Sequence, residues 1–316
     1  MIVDAAGGQI GGAARYRGEL LQYLHRTRRE DVRVVGAERR LTPTWLLRRE
    51  AAWPVRTRRV AVNNVSFVSP GGERWTLLAS LLYFLTDDEW ANLHPSLRSE
   101  AGLRAPIVHM AARRSHVIVA PCMEMAERIT RVLPDLRSRV TVRMHPVSAE
   151  LPSVPRDPVI LCPVFFAAYK HMVARIRELL IMLDQYDDPS VELVVTAKST
   201  EIPAGMAHHP RLRLVGQLDH KDLRQLWARS RAVFFPSAVE AFGYPLAEAR
   251  VNGQSVIALD TAQNREIAGP ALCGFTAGDM ESLGSALEQA LTRDVCPDPA
   301  PFDPDAYFTW LLGRAS

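Results

Sequence analysis

The 316-residue chain predicts an α/β protein of two domains, each built on a mainly parallel sheet. Three observations carry this. Short runs rich in Val, Ile and Leu alternate along the chain with amphipathic segments of helical period. The alternation breaks at Leu151-Pro152-Ser153-Val154-Pro155-Arg156-Asp157-Pro158, whose prolines and polar residues mark a linker, and then restarts. The length suffices for two cores of ordinary domain size. Domains are expected at 1–152 and 156–300, with a separate helical segment at 301–316.

The first domain opens with a strand at 2–6, a glycine loop Gly7-Gly8-Gln9-Ile10-Gly11-Gly12, and a helix over 13–28 with Tyr16, Leu20, Tyr23 and Leu24 on one side. A strand follows at 32–35. Residues 39–59 read as Arg-rich and irregular, anchored by Trp45 and Trp53. Strands are expected at 60–63, 75–85, 116–121 and 140–144, with a helix at 123–132. In the second domain, strands are expected at 159–162, 191–196 and 212–215 and helices at 173–186 and 220–229. Next comes Ala232-Val233-Phe234-Phe235, a buried strand that Pro236 stops. A turn region reaches Gly243, and Pro245 suits the first position of a helix, where its missing N–H costs nothing. That helix should stop at Gly253, before the buried strand Ser255-Val256-Ile257-Ala258-Leu259. The aromatic segment 302–314 is helix-compatible.

Composition narrows the function classes. With 47% hydrophobic and 23% charged residues, the chain reads as a soluble globular protein. No charge-free apolar run approaches the roughly 18 residues of a membrane span. The start Met1-Ile2-Val3-Asp4-Ala5-Ala6-Gly7 has no basic region before an apolar stretch, so no secretory leader is expected. Cys122, Cys162, Cys273 and Cys296 are far apart without a Cys-x-x-Cys, which argues against a disulfide framework or zinc site and fits a reducing cytoplasm. Of the basic residues 35 are Arg and only 3 are Lys, a usage suggesting GC-rich coding, so a lysine here is not a default choice. Residues 1–150 carry a balance of +8 and the remainder −5. A basic first half favours an anionic acceptor or peripheral contact with the inner face of a membrane. Nucleic acid is disfavoured, because no zinc-finger spacing or RNA-recognition aromatic signature is present.

The most informative stretch is Pro236-Ser237-Ala238-Val239-Glu240-Ala241-Phe242-Gly243-Tyr244-Pro245-Leu246-Ala247-Glu248-Ala249. It sits in a strand, loop, helix, strand unit, and open parallel sheets bind ligands at the carboxyl ends of their strands. The amides of Ala241, Phe242 and Gly243 lie near a helix N-terminus, suited to sugar or phosphate oxygens. Glu240 at the loop start and Glu248 one turn into the helix can line the same cleft. The full pattern, Glu-x-Phe-Gly-x-Pro-x-x-Glu-Ala, resembles the nucleotide-sugar motif of family 4 retaining glycosyltransferases. The resemblance implies a GT-B fold: two Rossmann-like domains facing a central cleft, with the C-terminal helix crossing back to the first. It also implies that Glu240 and the amides of Ala241, Phe242 and Gly243 meet sugar hydroxyls, and that Glu248 meets the ribose.

Other segments extend the resemblance. Gly11 and Gly12 sit just before a helix N-terminus, where amides can approach a diphosphate. Their spacing is neither Gly-x-Gly-x-x-Gly nor a P-loop, which disfavours a dinucleotide oxidoreductase. Gly11 to Tyr16 is similar to the first-domain loop of some family members, with Arg15 facing donor phosphates or acceptor. After the strand at 159–162, Lys170 matches the family's diphosphate-neutralising lysine, but Val164 and Phe165 replace its Gly-Arg pair and His171 replaces an Asn. Lys198 or Arg15 is the expected source of the missing charge. Leu214-Val215-Gly216-Gln217-Leu218 resembles the base-contacting turn, implying nucleobase contact around Gln217 and Leu218. Asn264-Arg265-Glu266-Ile267-Ala268-Gly269 resembles a further family segment.

No catalytic histidine stands out. Thr86-Asp87-Asp88-Glu89 occupies the place where the family often has one, and His94, His109 and His145 read as structural. Retaining members are thought to react on one face of the sugar, the leaving phosphate taking the acceptor's proton, so such an enzyme mainly positions reactants and stabilises charge. No Asp-x-Asp metal motif appears. The expectation is a retaining, metal-independent hexosyltransferase that needs no cofactor besides its nucleotide-diphosphate-sugar donor. Catalysis would rest on Glu240 and Lys170, in natural-product (antibiotic) tailoring or cell-envelope glycan synthesis. The alternatives are a GT-B-fold sugar-nucleotide epimerase, a pseudo-glycosyltransferase, and an inactive sugar-nucleotide-binding subunit.

Overall fold

A computed structural model describes residues 1–8, 11–51, 56–91, 93–149, 151–152, 154–164 and 172–313. The chain divides into two compact units, Met1–Val147 with Phe302–Ser316, and Ser148–Pro301.

The first unit holds β1 (Ile2–Asp4), α1 (Gly11–Thr27), β2 (Arg33–Val35), α2 (Pro43–Ala51), β3 (Arg59–Ala61), β4 (Arg74–Leu77), α3 (Asp87–Ala91), α4 (Pro95–Ala112), β5 (Val117–Ala120), α5 (Met123–Val132) and β6 (Val140–Val142). Its six strands pair in parallel in the order β2-β1-β3-β4-β5-β6. β1 leads to β2 on one side and the chain then continues on the other, so the order reverses between β1 and β3. Such a switch point opens a crevice at the carboxyl ends of the strands. Val3, Val60, Ile118 and Val119 make the sheet's buried layer.

Three sequence expectations change here. The strand expected at 75–85 ends at Leu77, and Leu81–Tyr83 is a 3-10 turn. Residues 43–51, expected to be irregular, form α2, because buried partners outweigh weak local periodicity. The expected anchor Trp45 is held by its indole N–H, which donates to Asp4 Oδ1 at 3.1 Å; Trp53 lies outside the described residues. Gly11 and Gly12 are the first two residues of α1 and do not precede it.

The second unit holds β7 (Asp157–Cys162), α6 (Met172–Asp184), β8 (Glu192–Val195), α7 (Ala204–Ala207), β9 (Leu212–Leu214), α8 (His220–Arg229), β10 (Ser230–Phe235), α9 (Tyr244–Val251), β11 (Ser255–Leu259), α10 (Ala262–Ala268), β12 (Leu272–Phe275) and α11 (Met280–Thr292). Again all pairings are parallel, in the order β12-β11-β10-β7-β8-β9. The strands are near-continuous apolar runs because helices cover both faces. One buried cluster joins Ile160, Val195, Phe234, Ile257 and Phe275 to Ile176, Leu179 and Leu287 of α6 and α11. Side-chain caps start three helices: Asp219 accepts from the Asp222 amide at 2.8 Å, Thr261 from Asn264 at 3.1 Å and Asp279 from Ser282 at 3.1 Å.

After α11 the chain returns to the first unit as α12 (Pro304–Leu312), capped by Asp303 and packed on α1. Phe308 is fully buried, its ring 5.2 Å from Tyr23 and 5.8 Å from Tyr16. Arg29 Nη1 donates to the Gly313 carbonyl at 2.7 Å, holding the helix's carboxyl end.

Candidate functional site

Six parallel strands place six loops on one edge of the second unit, and its switch point lies between β7 and β10. The motif loop leaves β10 there. Gly243, in left-handed conformation at φ 86°, turns the chain into α9. A Cβ at Gly243 would stand 3.0 Å from Leu246 Cδ1 and 3.2 Å from Phe235 Cζ, so the left-handed backbone and these close contacts together favour glycine where the helix starts. Pro245 is within the first two helical positions and Asn252 is the C-cap, followed by Gly253 at φ 61°. Phe242 is buried, edge-on to Tyr244 at 5.3 Å. Glu240, Ala241 and Glu248 are half-buried. The start of α9, carrying the positive end of its dipole, thus borders the switch point, flanked by the two glutamates.

The loop is braced from behind by residues that no local signal singled out. Gln263 Nε2 donates to the Glu240 carbonyl at 2.9 Å, fixing the loop to α10. Asn264, from the segment with no expected role, is buried and donates to the Leu259 carbonyl at 2.8 Å. Arg250, in the last turn of α9, forms a two-nitrogen bridge to Asp298 Oδ2 at 2.7 and 2.8 Å and donates to the Glu266 and Ile267 carbonyls at 3.2 Å. Its guanidinium crowds Gly269, where a Cβ would meet Arg250 Cζ at 2.7 Å. The only local hint was a basic residue near a helix C-terminus.

The remaining described candidates of this unit follow strands at the same edge. Lys198 is exposed just past β8, its amide donating to Glu201 Oε2 at 2.8 Å. Val164 past β7 donates its amide to Thr196 Oγ1 at 2.9 Å, joining the two strand ends. Gly216, at φ 68°, bonds its amide to the Ala197 carbonyl at 3.0 Å and presents Gln217, exposed, and Leu218, half-buried. With strands about 4.8 Å apart, the ends of β8 and β10 are about 10 Å apart and those of β9 and β10 about 14 Å. Lys170, Phe165 and His171 lie outside the described residues. A groove of about 460 Å³ reaches from Leu218 past Leu226 to the Asp157–Arg229 ion pair. Glu240 does not line it, so groove size and motif point to different places, and the convergence of motif, helix start and switch point carries more chemical information.

Gly11, Gly12 and Arg15 belong to the first unit, on its own switch-point edge. Gly8 folds against α1 so tightly that a Cβ would stand 2.4 Å from Ala13 Cβ. Gly11 (φ 64°) and Gly12 are exposed. Arg15 Nε lies 3.8 Å from the buried Glu19 carboxylate one turn on. Beneath the loop, fully buried Asp4 pairs with Arg49 and accepts from Asn63 Nδ2 at 2.8 Å and the Ala6 amide at 3.1 Å. Arg49 also donates to the carbonyls of Val65 and Ser66 at 2.8 and 2.6 Å, which satisfies a buried pair that would otherwise be costly.

The residues near the expected histidine position are structural. Glu89 accepts from the Thr86 amide at 2.9 Å while the Glu89 amide donates to Thr86 Oγ1 at 3.3 Å, a capping box for α3. Burial disfavours its charge, but bonds from Arg128 at 2.6 and 2.8 Å and from Thr86 outweigh this and hold it below the usual carboxylate range. His109 Nε2 meets the Tyr83 carbonyl at 2.7 Å. His145 is buried edge-on to Tyr16 at 5.1 Å, and burial pushes its pKa down to about 3, so its ring is neutral. Among the described residues no three His, Cys, Asp or Glu side chains are grouped to hold a metal ion, and no helix is long and apolar enough to cross a membrane.

Comparison with known proteins agrees with this architecture. Residues 208–301 match the family described as glycosyl transferases group 1, a segment running from before β9 to the end of the second unit and containing the whole motif. The solved structure of WaaG, a glycosyltransferase involved in lipopolysaccharide biosynthesis, aligns over 99% of this chain and 100% of its own at 14% identity and TM-score 0.66. A glycosyltransferase from Rickettsia africae ESF-5 aligns over 100% and 93% at 13% identity and TM-score 0.58. The lipopolysaccharide outer core galactosyltransferase WaaB aligns over 98% of both chains at 13% identity and TM-score 0.56. No curated protein matches the chain by sequence. The chain has the GT-B fold, with two six-stranded parallel sheets clothed in helices.

Proposed function

We propose that this GT-B protein is a retaining, metal-independent glycosyltransferase that moves a sugar from a nucleotide-diphosphate sugar to an acceptor hydroxyl. One observation supports the reading: the loop Glu240–Gly243 and the start of α9 follow β10 at the switch point of the second sheet, inside the segment that matches the glycosyltransferase family. A sugar at the end of β10 meets Glu240 and these amides, and the ribose meets Glu248. The base lies toward Gln217 and Leu218 past β9, and Lys170 with Gly12 takes the diphosphate; Lys198 or Arg15 supplies further positive charge. The acceptor is taken by the first unit.

The chemistry asked of such a site is modest. The bond from the anomeric carbon to the diphosphate breaks as the acceptor oxygen attacks the same face, and the departing phosphate oxygen takes the acceptor's proton. The protein aligns the partners and stabilises the charge developing on the diphosphate. Cell-envelope glycans and small natural products are the acceptor classes proposed; among structural neighbours, TarM was solved with UDP and α-GlcNAc-glycerol.

The test is to titrate UDP, GDP, TDP and ADP by thermal shift, then supply the matching sugar nucleotides with and without candidate acceptors. A ligand at about 100 times its dissociation constant raises stability by roughly 2.7 kcal/mol. Transfer that persists in excess chelator, with the donor's anomeric configuration kept in the product by NMR, is the expected outcome. Turnover of donor alone into an epimer, or binding with neither hydrolysis nor transfer, would overturn the reading.

A further inference from the structure

We propose that Asn64 orients the acceptor: its side-chain NH2 donates to an acceptor oxygen vicinal to the attacking hydroxyl, at the switch point of the first sheet. The inference rests on the sugar-transfer reading and adds to it a residue and a substrate class, a polyol. It starts from the backbone. Among the described residues, Arg28 and Asn64 are the two non-glycine residues with positive φ, at 49° and 68°. Arg28 directly follows α1, where a left-handed residue is an ordinary way to end a helix. Asn64 ends no helix. It lies three residues past β3, in a conformation that asparagine adopts more readily than most side chains but still at a cost. Such outliers cluster at functional sites.

The place is the crevice edge of the first unit. β1 and β3 stay paired up to Asp4 and Ala61, and the Val62 amide donates to the Asp4 carbonyl at 3.0 Å. The glycine loop and the Asn63-Asn64 turn therefore leave the sheet about 5 Å apart, on the two sides of the point where strand order reverses. The two asparagines differ in what they leave over. Asn63 is engaged at both ends: Nδ2 donates to Asp4 Oδ2 at 2.8 Å and Oδ1 accepts from the Val65 amide at 3.3 Å. Asn64 is engaged at one end. Its Oδ1 accepts from the amides of Ala79 and Ser80 at 2.7 and 2.9 Å, in the loop that follows β4. Two N–H donors can meet only the oxygen of a carboxamide, so the orientation of the group is fixed. Nδ2 has no partner among the described residues and is not one of the buried unpaired atoms, so on this half-buried residue it reaches solvent. Accepting two bonds polarises a carboxamide and makes its NH2 the stronger donor. Joining two loops needs the oxygen alone. The rigid, uncharged donor that remains at the switch point suits a neutral oxygen, such as the second hydroxyl of a diol whose first hydroxyl attacks.

Asn64→Asp tests this, because it keeps an oxygen for the two amides and suits the left-handed backbone, yet puts a carboxylate oxygen where the donor was. The probe acceptors are glycerol, propane-1,3-diol, which lacks the vicinal oxygen, and methyl α-glucoside with its monodeoxy forms. In the unmodified protein, removing the vicinal oxygen should raise acceptor KM by about tenfold. Asn64→Asp should raise KM for glycerol or methyl α-glucoside by a similar factor with little change in kcat, and the deoxygenated acceptor should then suffer no further loss. Thermal unfolding and nucleotide-diphosphate affinity should match the unmodified protein. Unchanged acceptor KM in Asn64→Asp overturns the proposal. So does a variant that loses stability and nucleotide affinity together, which marks a purely structural role, or an unmodified protein that uses only acceptors without a vicinal oxygen. Transfer to no acceptor at all overturns the sugar-transfer reading itself, and this proposal falls with it.

Discussion

At the residue scale, the proposed roles divide the donor between the two glutamates. Glu248→Gln keeps shape but removes the charge from the proposed bond to ribose, so it should weaken nucleotide-diphosphate binding by about 1–3 kcal/mol, read by calorimetry. Glu240→Ala should lower transfer more than it lowers plain nucleotide-diphosphate affinity, because its proposed partner is the sugar. Equal weakening of both ligands would refute that division. Lys170 comes eight residues after the end of β7 in the sequence and is one of three lysines in a chain with 35 arginines. An ammonium near the leaving diphosphate stabilises the transition state more than the ground state, so Lys170→Ala should lower kcat by about 100-fold or more. Near-normal turnover of the folded variant would move that role to Lys198 or Arg15.

At the element scale, α9 matters because its start borders the switch point, and Gly243 decides how closely. Gly243→Ala places a Cβ in left-handed backbone and against Leu246 and Phe235, and should cost about 1–3 kcal/mol in chemical denaturation. If the helix start is the anion-binding element, the same variant should also weaken donor binding. Unchanged stability with unchanged binding would show that the turn relaxes freely. The elements themselves were unevenly legible. α8 and β11 have the ranges their periodicity and flanking signals predict, and Pro245 and Gly253 bound α9 as expected. α2 was missed because its helicity answers to the buried Arg49–Asp4 pair, a partner 45 residues away. In α4 both faces are apolar, which erases the one-sided period on which recognition of a helix relies.

At the scale of the whole molecule, the two units should differ in their response to acid. His145 is neutral in the folded first unit, its pKa held at about 3 by burial, and returns to about 6.5 on unfolding. Between these values the unfolded chain binds the extra proton, so stability falls as pH drops from 6.5 towards 3, by up to about 1.4 kcal/mol per pH unit. His145→Phe should flatten that slope for the first unit alone, measured as unfolding against pH; an unchanged slope would place the acid sensitivity elsewhere. Sequence alone determined what depends on neighbours along the chain: the alternation of apolar runs and amphipathic helices, and the residues of the Glu240–Glu248 motif. Tertiary structure decided what depends on distant partners. Strand order, and hence the switch points beside Glu240 and beneath the glycine loop, comes from pairings such as β10 with β7, which local patterns cannot encode. The bracing of the motif by Gln263, Arg250 and Asp298 likewise emerges only when folding brings remote side chains together, because hydrogen bonding and burial act through space and periodicity acts along the chain.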